Sequence, residues 1–223
     1  MSSNAHKKSG HVTGVILAGG ASRRMGKNKA LIQLGDDSLI GHVIRRIRPV
    51  TDELLLITNT PDEYAHLGLP MHGDIVSDAG ALGGVYTGLV SASHDTVLCV
   101  ACDSPFLVPK LITYLISVLD DYDGVMPWTY RENPADPNDH QITLQTLCAV
   151  YSKRCLPTIE LMLQESELRV HALQERASIK CISPEAWQAF DPDGISFFNI
   201  NTREDLEQAN AYLISERAIH PDQ

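Results

Sequence analysis

The sequence predicts an α/β fold: a single domain on a doubly wound, mostly parallel sheet with helices on both faces. Three observations carry this expectation. Short aliphatic runs alternate with amphipathic stretches at helical spacing through the first 125 residues, the pattern of βα units with parallel strands. A chain of 223 residues with 43% hydrophobic content is long enough to bury one substantial core. No repeat, low-complexity tract or linker divides it.

Each element follows from local chemistry. Residues 12–16 form a β-branched strand that runs into a glycine-rich turn. Asp36, Asp37 and Ser38 offer N-cap side chains, Leu39, Ile40, Val43, Ile44 and Ile47 then recur at helical spacing, and Pro49 lies just past the end. Residues 53–58 read as a strand ending at the turn Asn59-Thr60-Pro61, and the glycine-rich segment 80–89 opens a second helix. Residues 96–101 form the next strand and lead to Asp103-Ser104-Pro105, after which Leu111, Ile112, Leu115, Ile116 and Leu119 mark a helix from Pro109. Residues 124–128 read as a strand, 131–140 as an exposed loop or small lid, and 144–151 as a strand. Helical stretches at 157–164 and 168–175, a short strand at 178–182 and a final helix from the Thr202/Asp205 capping box to about Leu213 complete the chain. The expected domain spans 12–215, between a disordered lead-in at 1–11 and a flexible tail at 216–223.

Against a net charge of −10, residues 23–29 gather Arg23, Arg24, Lys27 and Lys29 with no acid among them. This cluster lies in the turn after the first strand, which reads Leu17-Ala18-Gly19-Gly20-Ala21-Ser22 up to Arg23. Gly19, Gly20 and Gly26 allow close backbone approach, so backbone donors and fixed cations together make a seat for a polyphosphate. A solvated basic turn is the competing reading. Two familiar phosphate loops are excluded: Ala21 and Asn28 break a Walker A pattern, and no G-x-G-x-x-G is present.

The acidic balance argues against non-specific nucleic-acid binding. No run approaches the ~18 apolar residues of a membrane span, and residues 1–11 lack an apolar signal core, so a cytoplasmic protein without membrane contact is expected. Five cysteines include Cys99-Val-Ala-Cys102. On a strand, positions i and i+3 face opposite ways, so these read as small buried hydrophobes and not as a metal or redox pair.

Ligands of open α/β sheets bind at the carboxyl ends of the strands. The basic turn, Asn59 and Asp103 all fall there. An acid facing a polyphosphate needs a bridging cation, and Mg²⁺ held by one carboxylate plus phosphate oxygens fits. Asp103 reads equally well as a cap on the turn through Ser104-Pro105. No nucleophilic Ser/His/Asp constellation is visible. That suits nucleotidyl transfer, in which an anionic phosphate attacks without deprotonation and the protein positions and stabilises charge.

The motif Leu17-Ala-Gly-Gly-Ala-Ser-Arg-Arg-Met-Gly-x-x-Lys29-Ala30 resembles the signature of molybdenum cofactor guanylyltransferases. So do segments 80–89, 102–107 and 147–152, and Phe198-Asn-Ile-Asn-Thr-Arg-Glu-Asp-Leu206, in order across residues 13–213. The resemblance implies a Rossmann-like nucleotidyltransferase whose N-terminal half binds nucleotide and whose C-terminal half binds pterin. It implies that GTP and a molybdopterin-type cofactor give the guanine dinucleotide and pyrophosphate with Mg²⁺. Carried over, Leu17, Ala18, Gly19, Gly20 and Lys29 hold GTP, Arg23 and Arg24 lie beside its phosphates, and Asp103 binds GTP and Mg²⁺. Arg23, Arg24, Lys29 and Asp103 form the catalytic set. Asn59 and Asp74 are further nucleotide contacts, and Gly80 opens a turn that either touches ligand or packs a helix tightly on the sheet. Asn199 and Asn201 line the pterin side, or form a structural turn into the Thr202 cap.

One departure from the family pattern is Ala81, where proline is common. The resemblance also implies transient contact with cofactor-insertion factors and apo-molybdoenzymes. Cytidylyltransferases of the same pterin open with Ala-Ala-Gly where this chain has Ala18-Gly19-Gly20, which favours GTP. A non-catalytic GTP-binding partner in cofactor delivery is the alternative of another class.

Overall fold

The six residues of β1 (Val12–Leu17) are all buried, as a central parallel strand covered on both faces requires. The computed structural model describes residues 10–19, 28–133 and 136–219. A small antiparallel ribbon, β2 (Gln33–Leu34) and β3 (Asp37–Ser38), leads into α1 (Leu39–Ile47), whose first turn is capped by Ser38 Oγ accepting from Gly41 N at 3.2 Å. There follow β4 (Glu53–Ile57), α2 (Pro61–Tyr64), β5 (Met71–His72), α3 (Gly80–Ser91), β6 (Thr96–Ala101) and α4 (Pro109–Ser117). The second half supplies β7 (Gly124–Asn133), β8 (Asp136–Leu144), β9 (Cys148–Ser152), α5 (Leu156–Gln164), α6 (Leu173–Arg176), β10 (Ile179–Ile182), α7 (Pro184–Trp187) and α8 (Arg203–Ile219).

The main sheet has the order β10-β7-β9-β6-β1-β4-β5, with β8 paired to β7. β1 is parallel to β4 and β6, β4 to β5, and β7 to β10. β9 runs antiparallel to both β6 and β7, so those two point the same way. Six strands therefore end on one edge of a mostly parallel sheet.

Strand alternation divides the core into two layers. On one face, Ile40, Val43 and Ile47 of α1, Leu111, Ile112 and Leu115 of α4 and Trp187 of α7 cover Ile16, Leu56 and Val100. On the other, Leu82, Val85 and Leu89 of α3 with Ile159 and Met162 of α5 cover Val15, Leu55 and Val97. Cys99 belongs to the second layer and Cys102 packs against the first, as their spacing predicted, and all five cysteines are free. A third cluster of Leu34, Leu39, Phe106, Ile200, Ala209 and Leu213 docks α8.

The glycines of α3 let it lie close on β1. A Cβ on Gly84 would collide with Leu17, and one on Gly88 would come 2.7 Å from Val15 Cγ1. Gly88→Ala is therefore expected to destabilise the fold by about 1–3 kcal/mol despite its gain in helix propensity. The shift of the urea midpoint measures this.

Several expectations need correction. The segment 131–140 is not a loop. It completes the paired strands β7 and β8 on either side of residues 134–135, because cross-strand pairs such as Thr129↔Thr143 continue outward with a register shift between Glu132 and Asn133. Proline is tolerated in a strand at the sheet's edge, which reconciles Pro137 with β8. The strand expected over 144–151 is two strands separated by the turn 145–147, where Gln145 N donates to Pro127 O at 2.8 Å. His11 is not part of a disordered lead-in: its Nδ1 lies 3.0 Å from Asp52 Oδ1, and its ring stacks on His94. Residues 216–219 are helical and not tail, with Arg46 reaching both oxygens of Glu216 at 2.7 Å. Residues 1–9 and 220–223, and Gly20, Arg23, Arg24, Gly26 and Lys27, lie outside the described residues. No described helix is long and apolar enough to cross a membrane.

Candidate functional site

The sheet order places the ends of β6, β1, β4 and β5 side by side, and their sequels carry Asp103, Ala18-Gly19, Asn59 and Asp74 in that order. The end of β1 is tied to both neighbours: Ala18 N donates to Ile57 O at 2.9 Å and Cys102 N to Leu17 O at 3.2 Å. Leu17 itself is a core side chain under α3.

At the β6 side, Lys29 Nζ donates to Asp103 Oδ2 at 2.6 Å and to Asn201 Oδ1 at 2.8 Å. Lys29 is only 9% exposed, so its ammonium depends on these two acceptors. Its backbone sits in a single 3₁₀ turn, 29–31, that Asn28 caps by accepting from Ala30 N at 3.1 Å. Asn28 is anchored in turn by Tyr64, whose hydroxyl donates to Asn28 Oδ1 at 3.0 Å, and by Glu63 Oε2, which accepts from Asn28 Nδ2 at 2.6 Å. Burial pushes the Tyr64 hydroxyl up to about 12, so it stays a donor.

The partner turn is held as firmly. Ile200 N donates to Asp103 O at 3.0 Å, and Ser104 Oγ donates to Asn199 Oδ1 at 2.6 Å. Asp205 Oδ2 accepts from Asn201 N and Thr202 N, both at 2.8 Å, while its own N–H reaches Thr202 Oγ1 at 3.1 Å. Burial raises the Asp205 pKa, but these backbone donors outweigh it and hold the carboxyl below its usual range. The Cys102 thiol beside Asp103 is pushed up to about 12 by burial and by that carboxylate, so it is no nucleophile.

At the β4–β5 side, Asn59 and Asp74 bond reciprocally: Asn59 Nδ2 donates to Asp74 Oδ2 at 2.8 Å, and Asp74 N donates to Asn59 Oδ1 at 2.9 Å. A Cβ on Gly19 would lie 3.8 Å from Asp74 Oδ2, so this pair borders the glycine turn. Gly80 begins α3 with φ of +56° and open space where a Cβ would point, so tight packing falls to Gly84 and Gly88 instead. Beside Asp103 opens a cleft of about 330 Å³, lined by Ser104, Gln145, Leu147, Phe197 and Asn199 among others. Among the described residues no three His, Cys, Asp or Glu side chains converge to hold a metal.

Residues 14–178 match the model of the MobA-like NTP transferase domain. The chain belongs to the MobA-like NTP transferase family. A molybdenum cofactor guanylyltransferase of Desulfosudis oleivorans is 36% identical over 207 residues, covering 92% of this chain and 98% of that protein. A probable molybdenum cofactor guanylyltransferase of Pelotomaculum thermopropionicum is 34% identical, covering 92% and 95%. The fold resembles that of molybdopterin-guanine dinucleotide biosynthesis protein A from Archaeoglobus fulgidus, with a TM-score of 0.74, 22% identity, and coverage of 91% and 99%.

This MobA-like transferase is thus a nucleotidyltransferase in molybdenum cofactor biosynthesis. Sequence reasoning had flagged Lys29, Asp103, Asn199 and Asn201 separately, and the transferase brings all four together. It had missed the supporting residues. Asn28 had registered only as a missing hydroxyl, although an asparagine just before the turn that begins at Lys29 was a legible cap signal. Ser104 had been read only as part of the turn after Asp103, and Gln145 and Thr146 carried no signal, since their places at the cleft depend on contacts across the chain. Asp205 had been read as a cap alone.

Proposed function

We propose that this protein transfers GMP from GTP to a molybdopterin-type molybdenum cofactor, releasing pyrophosphate and forming molybdopterin guanine dinucleotide. The observation that carries the reading is the Lys29–Asp103–Asn201 cluster at the sheet's carboxyl edge, flanked by the Asn59–Asp74 pair and by a separate cleft. Two binding places meeting at one cation and one carboxylate suit the joining of two phosphates. The names of relatives at 36% and 34% identity point to guanosine as the nucleoside.

In this reading the turn through Ala18, Gly19 and Gly20 receives the triphosphate, with Lys29, Arg23 and Arg24 offsetting its charge. Asn59 and Asp74 face the guanosine. The pterin enters the cleft beside Asn199, with Asn201 two residues on and already holding Lys29. The pterin phosphate oxygen attacks the α-phosphorus, and the bond to the β-phosphate breaks without need of a protein base. A single carboxylate, with no supporting metal cage among the described residues, fits Mg²⁺, which keeps phosphate and water ligands, so Asp103 is the residue that would hold it. Bound there, Mg²⁺ would supply Lewis-acid stabilisation to the phosphates. Passing the product to insertion factors and apo-molybdoenzymes by transient contact completes the proposal.

Pyrophosphate release from purified protein with Mg²⁺ and molybdopterin-type cofactor tests it. Release with GTP and not with CTP, ATP or UTP is expected. Release with CTP would make this a cytidylyltransferase, and GTP binding without release would leave a non-catalytic partner.

A further inference from the structure

We infer that Lys29 blocks Asp103 to divalent metal in the nucleotide-free protein, so that metal binds only together with a polyphosphate that draws the lysine away. The inference rests on the nucleotide reading above, in that GTP supplies the polyphosphate. Lys29 Nζ lies 2.6 Å from Asp103 Oδ2, with the two side chains 11% and 21% exposed. At that exposure solvent screens the pair only in part. A metal arriving alone would share one carboxylate with an ammonium already in contact with it. No other group of metal-ligating side chains among the described residues could compensate that repulsion.

Asn201 completes the device. Its Oδ1 gives the ammonium a second acceptor at 2.8 Å, and Asp205 fixes its backbone through Asn201 N. Both acceptors of Lys29 therefore sit on one braced pair of turns, joined by Ile200 N and Asp103 O. The lysine's backbone is equally fixed, by the Asn28 cap and its Tyr64 and Glu63 anchors. Only the side chain is left to move. A triphosphate offers it several anionic oxygens in exchange for one carboxylate and one amide, and offers the metal the ligands that the protein lacks. Asn201 is thereby a positioning residue: it acts on the metal site through Lys29.

The test is Mn²⁺ binding, read by the electron paramagnetic resonance of free Mn²⁺ in titrations of the full chain without nucleotide. Lys29→Met, which keeps the buried stem and removes the charge, is expected to bind Mn²⁺ at least tenfold more tightly than wild type. Adding Asp103→Asn to that variant should remove the gain. Mn²⁺ binding by Lys29→Met no tighter than by the wild type would overturn the inference. So would a wild-type Mn²⁺ site that is lost in Asp103→Asn yet equally tight with and without GTP, a measurement that does not depend on the lysine variant folding. If GTP fails to bind the wild-type protein, the nucleotide reading falls, while the comparison in Mn²⁺ alone still decides whether Lys29 blocks Asp103.

Discussion

Asp103→Asn is expected to reduce Mg²⁺-dependent pyrophosphate release from GTP by at least about 100-fold while leaving the protein folded. The amide keeps the volume of the carboxylate and an oxygen for Lys29 Nζ, which lies 2.6 Å away in the native pair. What it loses is the negative charge that would hold the metal. Several kcal/mol of transition-state stabilisation depend on such an ion, and each ~1.4 kcal/mol is a factor of ten in rate. Alanine is the poorer test. It would leave the Lys29 ammonium, in a residue 9% exposed, with Asn201 as its one remaining acceptor among the described residues, adding a folding cost of about 1–3 kcal/mol to any effect on rate. Steady-state rates at saturating GTP, with melting temperatures as a control, separate the two. A wild-type rate in Asp103→Asn would remove the metal assignment.

The largest effect on stability is expected at a residue that touches no substrate. Phe106 is 1% exposed and sits at the centre of the cluster that docks α8, edge-on to Tyr212 at 4.8 Å. Phe106→Ala should cost about 3–5 kcal/mol through lost burial and the cavity left behind. That is a large share of the ~5–15 kcal/mol that holds a typical domain together. Urea unfolding followed by circular dichroism measures it, and Phe106→Leu should recover most of the loss. Because Ile200 belongs to the same cluster and lies between Asn199 and Asn201, activity of the alanine variant should fall before the chain unfolds. A loss below about 1 kcal/mol would show that α8 docks by other means.

These cases show where local pattern suffices and where it does not. β1, α1 and β4 were legible because their periodicity and caps are properties of adjacent residues, as Ser38 at the start of α1 illustrates. The direction of β9 was not legible, since an apolar run has the same pattern whichever way it lies in a sheet. The β7–β8 pair was hidden because Pro137 reads as a breaker until its strand is known to be an edge. α8 was expected to stop at Leu213, the last apolar residue in register. Its final turns are held instead by the pairing of Glu216 with Arg46, 170 residues away. The site followed the same division. Residue chemistry singled out Lys29 and Asp103, and the family resemblance added Asn201, but nothing local says that three separate turns converge on one ammonium.

The span of that convergence has a consequence for synthesis. Lys29 and Asn201 are 172 residues apart, and the turn bearing Asn201 is braced from Asp205, inside the last helix. A growing chain can pair β1 with β4 and β6 long before that helix leaves the ribosome. Its lysine then lacks Asn201, one of the two acceptors described for it, until residues 201–205 have been made. The edge that gathers Lys29, Asp103 and Asn201 is thus completed after those strands, and a chain that stops short of residue 201 cannot assemble it however well its sheet has formed.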